Sequence, residues 1–126
     1  DVTTYDPFSA DYAAKPRKQF DLIVSFEVFE HTTSPKDTLS EVIGLLKPNG
    51  MLLFSTLMQP ANINDLKASW WYIGPRNGHV SIYSEQSLQH LAMQAGYQFG
   101  HFNENLHLLC REIPVFAKHF LDPGAV

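Results

Sequence analysis

The sequence predicts an α/β domain with a mostly parallel sheet that ends in an antiparallel hairpin. Three observations carry this. Asp21–Phe26 (DLIVSF) is a short apolar run without polar/apolar alternation, the pattern of a strand covered on both faces. An amphipathic helix and a second apolar run, Met51–Leu57 (MLLFSTL), follow it, which makes a β-α-β unit with an expected right-handed crossover. Tyr97–Phe102 and Leu106–Arg111 then flank Asn103-Glu104-Asn105, a separation that suits a hairpin.

Taken in order, Val2, Thr3, Thr4 and Tyr5 have strand character, and Asp6-Pro7 stops them. A chain opening inside a strand suggests that something lies upstream. Residues 9–19 read as a loop with at most a helical turn. The next helix has Ser34 as N-cap, Pro35 at its first position and Asp37 in its first turn. Leu39, Val42, Ile43 and Leu46 form its apolar face, Lys47 favours its C-terminal end, and Pro48-Asn49-Gly50 ends it. Residues 58–83 are irregular and rich in aromatics, and a long loop in a compact domain is more often functional than idle. Ser84 caps another helix, with Leu88, Leu91, Ala92 and Ala95 on one face and Gly96 just beyond. Ile113–Leu121 is the last predicted helix.

Composition narrows the function. The chain has 126 residues, the size of one domain. It is 44% hydrophobic and 17% charged, which suits a packed core rather than disorder. Net charge is −4 and the basic residues are scattered, so no nucleic-acid footprint is expected. The single Cys110 excludes a disulfide framework and favours a reducing, cytoplasmic setting. No apolar stretch approaches the roughly 20 residues that span a bilayer, and no signal peptide is evident. No His pair has the zinc-binding H-x-x-x-H spacing and Glu27 to His31 is not H-E-x-x-H, so no metal is expected.

In an open parallel sheet, ligands bind beyond the carboxyl ends of the strands. Glu27, Glu30 and His31 stand just past one such end, Asp6 past an earlier one, and Ser55-Thr56 near a later one. The bland reading of the acidic cluster is a solvated loop.

FDLIVSFEVFEH, followed by SPKDTLSEVIGLLKPNGMLLFST, resembles the middle of a class I S-adenosylmethionine-dependent methyltransferase. That family commonly shows an aromatic-Asp-strand-E-x-x-E-H segment, a helix, L-K-P-G-G and another strand. Asn49 stands in place of the first glycine of the pair, and Asn tolerates the same turn. GPRNGHVSIYSEQSL and YDPF resemble segments of a ubiquinone-biosynthesis-like subgroup. The resemblance implies a partial Rossmann-like fold and S-adenosyl-L-methionine as cofactor, with a small-molecule methyl acceptor. It also assigns roles. Asp6 would accept hydrogen bonds from the ribose, with a simple Asp-Pro turn as the alternative. A third strand often carries the adenine contacts, but the interval from Asp6 to Phe20 is short, and Phe8 is the candidate there. Ser25, Phe26 and Glu27 would line the methionine end. Glu30, Trp71 and Tyr83 would face the substrate. His31 and His79 are the candidate bases, each with a structural alternative as a loop-anchoring histidine.

The family's G-x-G-x-G loop is not present in the sequence. The chain is therefore read as the C-terminal part of a longer methyltransferase domain, inactive alone, with a sheet edge free to pair with another copy. The alternatives are a non-catalytic Rossmann-like binding module and a nicotinamide-dependent oxidoreductase.

Overall fold

The computed structural model describes residues 1–121. Its sheet has four strands, β1 (Phe20–Phe26), β2 (Leu46–Ser55), β3 (Gln98–His101) and β4 (Leu106–Cys110), in the order β1-β2-β4-β3. β1 and β2 are parallel, and β4 is antiparallel to both β2 and β3. The expected hairpin is thus present. The sheet is mixed rather than mostly parallel, because Val2–Tyr5 form no strand and leave β1–β2 as the one parallel pair.

Helix α1 (Pro35–Gly44) and helix α3 (Glu85–Gln94) pack on one face of the sheet, and the short α2 (Ile63–Leu66) lies in the aromatic loop between them. Leu39, Leu88, Ala92 and Tyr97 bury against Leu46, Leu52, Phe54 and Leu109 there. Ser84 caps α3 in a reciprocal box with Ser87, each backbone N–H bonding the other's hydroxyl. Ser34 takes the N-cap position of α1 without a side-chain bond; Thr32 Oγ1 accepts from its N–H instead. A smaller core of Met51, Leu108, Cys110 and Ala117 lies on the other face, where a 3₁₀ turn (Val115–Ala117) and α4 (Lys118–Leu121) replace the expected longer helix.

Two expectations are corrected. Leu46 and Lys47 belong to β2, not to the preceding helix, since a residue before proline is pushed toward extended backbone. Gly50 shows why the chain closes here: a Cβ on it would meet Phe20 O at 3.0 Å and Asp21 O at 3.1 Å. The close approach of β1 to β2 requires glycine at this register shift. The second correction concerns β1. It is an edge strand, with Ile23 turned to the main core while Leu22, Val24 and Phe26 are 42%, 48% and 52% exposed. Its other face carries no layer among the described residues. No helix among the described residues is long and apolar enough to cross a membrane.

Candidate active site

β1 ends at Phe26, and the next residue, Glu27, takes a left-handed φ of 53°. That conformation costs a non-glycine residue about 1–2 kcal/mol. Ser55 at the end of β2 offsets it: its Oγ accepts from Glu27 N–H and donates to Glu27 Oε1, both at 2.9 Å. The reversal lets Phe29 enter the core, 1% exposed and 5.1 Å from the Phe54 ring. With Phe29 anchored, a 3₁₀ turn (Phe29–His31) carries Glu30 and His31 across the carboxyl end of β1.

The loop before α3 closes over this turn. Val80 N and Ser81 N donate to Glu30 O at 2.8 and 3.0 Å, and Ser81 Oγ donates to Thr32 O at 2.6 Å. His31 Nδ1 lies 2.9 Å from Gly78 O, and His79 Nδ1 lies 2.6 Å from Tyr72 O. A carbonyl can only accept, so each Nδ1 carries a proton, and in the neutral ring the lone pair is left on Nε2. Gly78 has φ of 69°, and a Cβ there would meet His31 Nδ1 at 3.4 Å. The two imidazole centroids are 4.9 Å apart.

Glu30 is 0% exposed. Its Oε1 accepts from the Tyr72 hydroxyl at 2.9 Å, while Oε2 has no hydrogen-bond partner among the described residues. Burial raises its pKa above the ordinary carboxyl value, and nearby Glu27 adds to this; its own backbone and Tyr72 pull the other way. Burial also pushes the Tyr72 phenol up to about 12, so it remains a donor. Glu30, His31 and His79 place one ligand atom each within 4.8 Å of one another. One carboxylate oxygen and two imidazole nitrogens are a donor set that fits a divalent cation. The fold assembles this set from two loops, which the spacing of histidines along the chain could not display.

The other candidate residues are placed differently. Glu30 is fully buried beside the imidazoles rather than on an open substrate surface. Tyr83 is a core residue, 5% exposed, whose hydroxyl donates to Phe29 O at 2.8 Å, so it buttresses the turn instead of lining a cavity. Trp71 is 68% exposed beside Tyr72, with the ring centroids 5.4 Å apart. Ser25 is half-buried in β1, and Phe26 points outward from its end. Asp6 sits in an exposed turn, where its Oδ1 accepts from Phe8 N–H at 2.9 Å, and Phe8 is 97% exposed. No hydrogen bond among the described residues joins that turn to the Glu30 cluster. Tyr72 and His107 were not singled out from the sequence. An aromatic with a polar tip after Trp70-Trp71 was the available signal for the first; a histidine inside an apolar strand was the signal for the second.

A family model described as a methyltransferase domain matches residues 1–101. The ubiquinone biosynthesis O-methyltransferase of Actinobacillus pleuropneumoniae serotype 5b is 36% identical over 55 residues, which cover 44% of this chain and 24% of that protein. The biotin biosynthesis bifunctional protein BioHC of Saccharophagus degradans is 28% identical over 119 residues, covering 83% of this chain and 21% of that protein. The matched part thus spans about a quarter of the length of the first of these relatives. Among solved structures, an O-methyltransferase family protein from Burkholderia thailandensis superposes with a TM-score of 0.60 at 16% identity, covering 79% of this chain and 32% of that one. The magnesium protoporphyrin IX methyltransferase of Synechocystis, solved with bound SAH, gives 0.56 at 12% identity, covering 78% and 48%. These likenesses establish the fold, and the family match extends over most of the residues that build the site. The chain belongs to the methyltransferase-domain family and has the fold of its S-adenosylmethionine-dependent class I members.

Proposed function

We propose that the complete protein transfers a methyl group from S-adenosylmethionine to a small-molecule acceptor. The convergence of Glu30, His31 and His79 at the carboxyl end of β1 carries this reading. When bound, S-adenosylmethionine would supply an electrophilic methyl to the acceptor's lone pair, the sulfonium sulfur leaving with the electron pair of the broken carbon–sulfur bond. The chain's own residues hold the acceptor and take its proton. His31 Nε2 or His79 Nε2 receives it, and Glu30 beside them stabilises the imidazolium that forms. Trp71, exposed beside Tyr72, offers the acceptor an apolar surface. Much of the acceleration lies in holding the partners in line at attack distance.

Asp6 serves the cofactor in this reading. Its turn engages only Oδ1 among the described residues, leaving Oδ2 for a ribose hydroxyl. Asp6→Ala in the full-length protein is expected to weaken S-adenosylhomocysteine binding by about 1–3 kcal/mol, the scale of a lost charged hydrogen bond. Unchanged affinity in a calorimetric titration removes the ribose assignment.

A second reading is favoured by the unpartnered Glu30 Oε2: the same three residues hold a divalent cation that binds an acceptor oxygen. Chelation separates the two. Activity that survives EDTA leaves the imidazoles as bases; activity lost to EDTA and restored by magnesium or manganese assigns them as ligands.

In this proposal a strand carrying a glycine-rich loop, supplied by the longer protein, pairs along the free edge of β1. Without it the edge takes a second copy. The 126-residue chain is expected to elute as a dimer, its Val24→Lys variant as a monomer, and the full-length protein not to self-associate through this edge. A monomeric 126-residue chain at tens of micromolar contradicts the edge assignment.

A further inference from the structure

Tyr72 is bonded to both halves of the site. It is 2% exposed, and its ring packs against Trp70 and His79, with centroids 5.1 and 4.0 Å away. Its hydroxyl donates to Glu30 Oε1 at 2.9 Å and accepts from Leu57 N–H at 3.1 Å, just past the end of β2. Its carbonyl, on the same residue, accepts from His79 Nδ1 at 2.6 Å. The side chain therefore reads the carboxylate and the main chain reads the imidazole. We propose that Tyr72 is the positioning residue of this site: its hydroxyl orients the Glu30 carboxylate and its carbonyl selects the His79 nitrogen left free, so that seating the aromatic loop and arming the proton-accepting groups are one event.

This rests on the reading of Glu30, His31 and His79 as proton-handling groups. Two physical points support it. With Oε1 held by the phenol at 2.9 Å, Oε2 is the oxygen of Glu30 without a hydrogen-bond partner among the described residues. His79 with its proton fixed on Nδ1 presents a lone pair at Nε2, and the tautomer is lost if the Tyr72 carbonyl moves away.

The test is Tyr72→Phe in the full-length protein, which keeps the ring and the carbonyl and removes the hydroxyl. Carbon-13 NMR follows the Glu30 carboxyl, and steady-state kinetics give the pH profile. The expected result is a Glu30 midpoint raised by about one pH unit, an acid limb of kcat raised by a similar amount, kcat reduced about tenfold, and an acceptor KM changed less than about twofold. A Glu30 midpoint and an acid limb that both stay in place, with only the melting temperature lowered, overturn the proposal and leave Tyr72 as packing. A midpoint that moves without any change in the pH profile supports the positioning role and removes the proton-handling reading on which it was built. Should the variant fail to fold, nitrogen-15 shifts of His79 in the unmodified protein decide: the Nδ1–H tautomer is expected, and the Nε2–H tautomer overturns the proposal.

Discussion

Glu30→Gln in the full-length protein is expected to lower kcat for methyl transfer about 100-fold or more, within the range attributed to positioned acid–base groups, while leaving the melting temperature unchanged or higher. The two halves of that result come from one fact. Glu30 is completely buried, with one oxygen bonded to Tyr72 and the other unpartnered. A buried carboxylate in that state opposes folding, because desolvation of the charge is only partly offset by one phenol. The amide keeps an oxygen for Tyr72 and removes the charge. It can no longer stabilise an imidazolium on His31 or His79, nor act as a ligand oxygen of full charge. A variant of normal activity and lower stability would reverse the assignment and make Glu30 a structural residue. Kinetics and thermal unfolding on the same preparation distinguish these outcomes.

The stability of the protein is expected to fall with acid through His107. This imidazole is 0% exposed in β4, with Nε2 2.8 Å from Thr56 O and Nδ1 without a partner among the described residues. Phe54 and Phe99 pack on its ring, at centroid distances of 5.2 and 5.6 Å, and His101 is 6.3 Å away. Burial lowers its pKa, and the neighbouring His101 adds to this against the Thr56 bond. The native state therefore binds fewer protons than the unfolded chain below about pH 6.5. Stability is present above that value and is lost as pH falls, by at most about 1.4 kcal/mol per pH unit. Glu30 acts in the opposite sense. Its raised native pKa means that protonation favours the folded state as pH falls. A variant comparison isolates the histidine. Between pH 7.5 and 5.5, urea unfolding of the unmodified protein is expected to lose about 1 kcal/mol more than that of His107→Phe. Parallel losses in the two proteins contradict the buried neutral imidazole.

Local signals in the sequence located most elements and left their layering open. Ser84, Leu88, Ala92 and Gly96 define α3 because cap, apolar face and C-terminal glycine all agree. The hairpin follows from two apolar runs about a short polar turn, and it forms as read. Leu46 and Lys47 were misplaced because helical periodicity continues into them, while the proline at 48 and the contact between Gly50 and β1 decide for strand. Val2–Tyr5 has strand composition, but strand formation needs a partner edge, and composition does not supply one. β1 reads as doubly covered because its residues are apolar on both faces; exposure of Leu22, Val24 and Phe26 depends on what lies against them. Of the site, Glu30 and His31 were legible as residues with the right chemistry past a strand end, and His79 as one able to reach the same place from the aromatic loop. How the two imidazoles are held was not, since it depends on the carbonyls of Gly78 and Tyr72. Backbone acceptors carry no side-chain signature. The burial of Tyr83 and Glu30 was equally hidden, because a polar group is buried only where a specific partner meets it, here Phe29 O and the Tyr72 hydroxyl.

The most direct measurement is calorimetric titration of S-adenosylhomocysteine into the full-length protein and into the 126-residue chain. Binding by the full-length protein and none by the shorter chain is the predicted result. It would mean that the residues past β1 and β2 form one half of a cofactor site whose glycine-rich half lies upstream. Absence of binding by the full-length protein would contradict the account and leave the chain as part of a binding module that keeps the methyltransferase fold without its chemistry.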